Sequence, residues 1–215
     1  MKFGCFGCLM LAVVALGLLV LGGGALFVSG NLFRRPDARA VEFSRSDGYV
    51  AQQKLYEVVL RQAGRSSRRD PISLTDREAS AFLSRHLAEA ARIPFSDLSV
   101  RFSSGEFIAQ GQTPLRSLVQ GPLLSYLSPY IPDKQLDQPV WVSVRGSISI
   151  ETAAVGAKRY GKVTVTRLVV GRQPIGTFLL HVMMGPSGAS LLEWPVPEII
   201  ESVQIRGGQA IIRTR

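Results

Sequence analysis

Past residue 8 this 215-residue chain contains no cysteine. That excludes a disulfide framework and a thiolate metal site from all but the first few residues. Histidine is almost as scarce. His86 and His181 are the only two, and neither has a second histidine or a cysteine at metal-ligand spacing. No G-x-S-x-G nucleophile elbow occurs. Gly22, Gly23 and Gly24 sit inside an apolar run, whereas a phosphate loop needs a strand before it and a helix after it. Asp70, Asp76 and Glu78 are close in sequence, but Asp70 precedes a proline, where turns begin. Glu78 is accounted for by helix capping. No paired-carboxylate site follows. The expectation is a protein that is not an enzyme and holds no cofactor or metal.

Charge is the other absence, and it is local. Residues 3–33 carry none. A hydrocarbon core about 30 Å thick is crossed by about 20 apolar residues of helix, and Cys8 to Val28 supplies that length. Met10, Leu11, Val14, Leu18, Leu21, Leu26 and Phe27 are its bulky residues. The run reads as an uncleaved anchor. A cleaved signal peptide is the alternative, with small residues at Val28-Ser29-Gly30, but the run is long for a signal h-region. A lipoprotein signal needs a cysteine after the run, and Cys5 and Cys8 precede it.

What remains is rich in arginine, and the net charge is +9. Arg34, Arg35, Arg39 and Arg45 follow the apolar run. Arg61, Arg65, Arg68 and Arg69 form a second cluster. Beside a membrane such residues attract anionic head groups, and Arg34, Arg35 and Arg39 are the expected contacts. The second cluster reads equally well as a solvated loop. It lacks interleaved aromatics and any recognition motif, so nucleic acid is not an expected partner. Counted beside the span, the arginines favour a cytoplasmic domain, but long domains translocate largely regardless of charge.

The chain divides into an anchor at 1–33, a juxtamembrane helix and basic linker at 34–70, and an extramembrane domain at 71–215. Apolar residues at helical spacing predict a helix over 47–63, through Val50, Leu55, Val58, Val59 and Ala63. Thr75 and Glu78 form a T-x-x-E capping box, opening a helix over 76–91. Its apolar face is Ala79, Phe82, Leu83, Leu87 and Ala90. Leu98, Val100 and Phe102 then alternate with polar residues, and Ser103-Ser104-Gly105 turns the chain back through Phe107 and Ala109.

Residues 113–138 hold four prolines among large apolar side chains and predict a folded flap. Val140 to Ile150 alternate strictly, Lys162 to Val170 continue as a second long strand, and Pro174 breaks it. A short apolar helix is expected at 177–184. Gly207-Gly208 marks a final hairpin. The fold class is α+β: one curved antiparallel sheet of about six strands with two or three helices.

Phe82, Leu83, Phe107, Phe178, Leu179 and Met183 are candidates to line an apolar pocket between helix and sheet, or to fill an ordinary core. The segment I-S-L-T-D-R-E-A-S-A-F-L at 72–83, after an N-terminal span, resembles the opening of YpmS-like bacterial membrane-anchored proteins. T-R-L-V-V-G-R-Q-P-I-G at 166–176 looks like their long strand, glycine and short apolar helix. W-P-V-P-E-I-I-E-S-V-Q-I-R-G-G-Q-A-I-I at 194–212 resembles their final hairpin. The resemblance covers residues 70–215, with 113–138 fitting poorly. It implies a relative of LmeA-like and tubular lipid-binding domains, exported and anchored at the cell membrane. The expected function is binding of a lipid or another amphiphile at the envelope. The alternative is a non-catalytic accessory or scaffold subunit contacting other membrane proteins.

Overall fold

The computed structural model describes residues 33–36, 40–91, 95–118, 133–152, 159–175 and 193–215. The anchor residues Met10 to Phe27, Arg39, the flap interior at 119–132, and Phe178, Leu179, His181 and Met183 with their expected helix lie outside the described residues.

The domain is α+β, and a curved antiparallel sheet of six strands is its largest element. Helix α1 (Arg45–Gln62) starts two residues earlier than its apolar spacing suggests. Ser44 caps it: Asp47 N donates to Ser44 Oγ at 3.3 Å, and Ser44 N donates to Asp47 Oδ2 at 2.7 Å. Strand β1 (Ile72–Thr75) leads directly into α2 (Asp76–Ala91). The expected capping box is formed there: Thr75 N donates to Glu78 Oε2 at 2.9 Å and Glu78 N to Thr75 Oγ1 at 3.3 Å.

Strands β2 (Ser96–Ser103) and β3 (Glu106–Pro114) make the expected hairpin. Ser104 and Gly105 both adopt positive φ in its turn, the geometry that matches strand twist. Two short helices, α3 (Leu115–Leu118) and α4 (Asp133–Leu136), bracket the flap. Its neck is held by Leu115 N to Gln138 O at 3.1 Å and by Arg116, which reaches Asp137 at 2.9 Å and Asp133 at 3.2 Å. The long strands β4 (Pro139–Thr152) and β5 (Arg159–Val170) follow, then β6 (Gln173–Ile175) and β7 (Glu193–Pro195).

The large sheet runs β2-β3-β4-β5-β6, with β7 on β5. Pro174 does not end pairing, as the sequence suggests; it stands opposite Val169 in β6, an edge strand where proline needs no ladder donor. A second sheet, ordered β1-β9-β8, joins the first strand to the final hairpin of β8 (Ile200–Arg206) and β9 (Gln209–Thr214). The strands thus form two sheets rather than one, because β1 pairs with β9 across most of the chain, Ile72 opposite Ile212.

Alternation gives the large sheet one apolar and one polar face. Val100, Phe102, Phe107, Ala109, Val142, Val144, Ile148 and Ile150 share the apolar side by register. In β5 the pairing shifts between Arg145 opposite Arg167 and Gly146 opposite Val165. Thr166 is the extra residue, and this bulge lets Val163 and Val165 face the same way as Leu168 and Val170. Ala79 of α2 with Ile205 and Ala210 of the small sheet packs on Val100 and Phe102. Val58 of α1 packs on Ile72 and Ile212.

Candidate functional site

The apolar face of the large sheet is covered unevenly. Toward β2 and β3 it is sealed by α2 and the small sheet. Around Val142 and Leu168 a second buried cluster collects Leu118, Val144, Val165 and Ile175. Val144, Ile148, Ile150, Val163 and Val165 are half-buried: Ile148 packs on the first cluster, Val144 and Val165 on the second, and Ile150 and Val163 continue beyond both. They form an aliphatic surface on β4 and β5.

Two glycines on this face make room for aromatic rings. A Cβ on Gly146 would lie 3.2 Å from Phe107 Cζ and 2.6 Å from Thr164 O. A Cβ on Gly161 would meet the Trp194 indole at 2.5 Å. Phe107 and Trp194 therefore lie across bare backbone, covering glycines that contribute no side chain. Trp194 remains 38% exposed at the far end of the aliphatic strip. The strip is thus bounded by two rings and offers CH groups rather than polar atoms, the composition that suits an acyl chain.

Leu83 and Phe107 come together in the core against Ala79, Val100 and Phe102. They help fill the core on the sheet's apolar side. Phe82 stands apart from them, its ring 4.6 Å from His86 one turn on along α2. Neither of two clefts on the described surface is lined by these three residues. One, about 470 Å³, lies where α1 crosses α2, between Phe43, Tyr49, Ala81 and Arg85. At Gly48 the helices approach closely, though a Cβ there would make only ordinary van der Waals contact with Ala81 Cβ at 3.5 Å. The other, about 540 Å³, is lined by Lys54, Glu57, Arg61, Arg68 and Asp70.

The second cleft is a charged network. Lys54 Nζ reaches Glu78 Oε1 at 2.7 Å and Ser73 O at 2.8 Å. Arg61 is not part of a solvated basic cluster: it is 5% exposed. Its guanidinium donates to Glu57 at 3.1 Å, to Asp70 O at 2.8 Å and to Thr214 Oγ1 at 2.8 Å. A buried arginine with each arm satisfied ties α1 to the chain's last strand. Hydrogen bonds from Ser66 and then Arg61 hold the Glu57 carboxyl below the usual carboxylate range. The bond from the Ser44 backbone does the same for Asp47. Asp76 moves the other way, raised by burial.

Among the described residues no three His, Cys, Asp or Glu side chains converge as metal ligands. No described helix is long and apolar enough to cross a membrane. Arg34 and Arg35 are exposed, and the Arg35 guanidinium lies 4.9 Å from the ring centre of Trp141. Sequence reasoning missed Ile148, Ile150, Val163 and Val165 as a site. Their alternation was visible, but the β5 bulge that puts them on one face was not. Comparison with protein-family models, curated proteins and solved structures gives no match.

Proposed function

We propose that this chain is a single-pass, membrane-anchored protein whose domain holds the acyl portion of a lipid or similar amphiphile against β4 and β5. The observation that carries the reading is the half-buried aliphatic strip of Ile148, Ile150, Val163 and Val165, ending at the partly exposed Trp194. Half-covered aliphatic surface of this kind gains from contact with another apolar body. The uncharged run at 3–33 supports anchoring beside the membrane that would supply such a ligand. The resemblance of residues 70–215 to YpmS-like proteins supports an exported domain at the cell membrane. The role is non-catalytic, and nucleic acid is not a partner.

The test is native mass spectrometry of the full chain released from detergent, with extracted lipids identified. Ile150→Glu and Val163→Glu each place a carboxylate on a half-buried position, so the fold should survive. The expected result is a stoichiometric lipid on the parent chain and its loss in both variants. Equal lipid content in folded variants contradicts the reading.

A second reading has its own observation. Tyr49, Tyr56 and Val59 are 54–57% exposed on the outer side of α1, at spacings that place them on one stripe. That stripe supports an accessory or scaffold role in a membrane protein complex. Cross-linking from Tyr56 in native membranes tests it; capture of one defined protein at stoichiometric level is the outcome it requires.

A further inference from the structure

Arg35 is fixed to the sheet at one end. Its guanidinium lies 4.9 Å over the Trp141 ring, and Arg172 Nε donates to its carbonyl oxygen at 3.3 Å. Trp141 is 7% exposed at the start of β4. Gly171 N donates to Trp141 O at 2.6 Å, so the turn after β5 closes on the same spot. The uncharged run ends at Phe33, two residues before Arg35. Two residues of chain span about 7 Å at most. The end of the uncharged run therefore lies close to this corner of the sheet.

We infer that the end of the large sheet where β4 begins faces an anionic bilayer surface, and that Arg34, Arg35 and Arg172 make the contact. The inference rests on the proposed anchoring, with the span within residues 3–33 crossing the membrane. All three arginines are exposed, and three cations beside a bilayer are complementary to acidic head groups. The clamp on Trp141 turns an otherwise free tether into a fixed orientation. Residues 142 and 168, and with them the buried cluster on the apolar face, lie at the membrane end. Trp194 lies at the other. It pairs with Gly161, whereas Val142, beside Trp141, pairs with Val170. Eight ladder steps separate those two positions, about 26 Å at roughly 3.3 Å per residue.

The chain's only two tryptophans therefore mark opposite ends of the sheet. The experiment uses the full chain in vesicles of phosphatidylcholine and phosphatidylglycerol carrying a head-group nitroxide, a short-range quencher. Trp194→Phe leaves Trp141 as the sole reporter, and Trp141→Phe, which keeps an aromatic ring under Arg35, leaves Trp194. The expected result is several-fold stronger quenching of Trp141 than of Trp194. A combined Arg34→Gln, Arg35→Gln and Arg172→Gln variant should lose most of that difference. Equal quenching, or stronger quenching of Trp194, overturns the orientation. An undiminished difference in the triple variant overturns the arginine contact. Flotation of the same vesicles is read first, and a chain that fails to float overturns the anchor and this inference together. Loss of amphiphile binding is read by lipid extraction, so it stays distinct from every outcome here.

Discussion

Ser80 Oγ, fully buried in α2, accepts the backbone hydrogen of Val100 at 2.8 Å. One turn earlier, Asp76 Oδ1 accepts from Phe102 N at 2.7 Å. Val100 and Phe102 are alternate residues of β2, which among the described strands pairs with β3 alone. Their donors would otherwise form the open edge that invites pairing with another chain. Two side chains spaced i, i+4 on a helix meet two backbone groups spaced i, i+2 on a strand, and the edge is sealed. Ser80→Ala leaves the Val100 donor buried without an acceptor, which costs about 1–3 kcal/mol. Chemical denaturation measures it. Ser84→Ala, which removes only a bond to Ala81 O in the same helix, should change stability by less than about 0.5 kcal/mol.

Arg61 is the second point of stability. Arg61→Met keeps much of the apolar stem and removes the donors to Glu57, Asp70 and Thr214. The loss should be about 2 kcal/mol, the scale of hydrogen bonds to charged groups. It falls short of a fully buried ion pair because Asp70 reaches solvent and is 70% exposed. Arg61→Lys should recover little, since one ammonium cannot reach partners set around a planar fork. Stability equal to the parent in Arg61→Met would contradict this role.

Two carboxylates give opposite pH signatures. The Glu57 pKa is lowered by its bonds from Ser66 and Arg61, so its contribution is present above the unfolded pKa and is lost as pH falls through the folded one. Glu57→Gln should lower stability at neutral pH and flatten the acid limb of the stability curve. Asp76 is raised by burial. Its contribution is present below the unfolded pKa and is lost as pH rises through the folded one. Asp76→Asn keeps an acceptor for Phe102 N, so its stability relative to the parent should be more favourable at pH 7 than at pH 3. Urea midpoints across that range, the same for variants and parent, would refute both assignments.

Gly161 and Trp194 form one unit on the aliphatic strip. Gly161→Ala drives a methyl into the indole, which must move toward solvent. Overpacking of this kind costs about 1–3 kcal/mol. Trp194 emission in a Trp141→Phe background should shift to longer wavelength, and an unshifted spectrum would contradict the close approach.

Local chemistry made much of this fold readable. The Thr75–Glu78 box, the Ser104-Gly105 and Gly207-Gly208 turns and the alternation of β4 each depend on residues a few positions apart. The pairing of β1 with β9 does not, and neither does the burial of Arg61, whose partners include Thr214, 153 residues away. On α1, Val50 and Val59 point outward while Ala51 and Val58 are buried. Apolar spacing alone could not choose between these faces, because the inward side also takes an arginine. Of the pocket expected from sequence, Leu83 and Phe107 meet in the core, and Phe82 lies against His86 instead. The aliphatic strip on β4 and β5 was hidden by the single extra residue, Thr166, that changes the parity of β5.

The most direct test of amphiphile binding is photo-cross-linking of the full chain in vesicles containing a phospholipid with a photoactivatable acyl chain, followed by peptide mapping. The account predicts adducts on Ile148, Ile150, Val163 or Val165 in addition to any on residues 3–33. Adducts confined to residues 3–33, with none on β4 or β5, would contradict it.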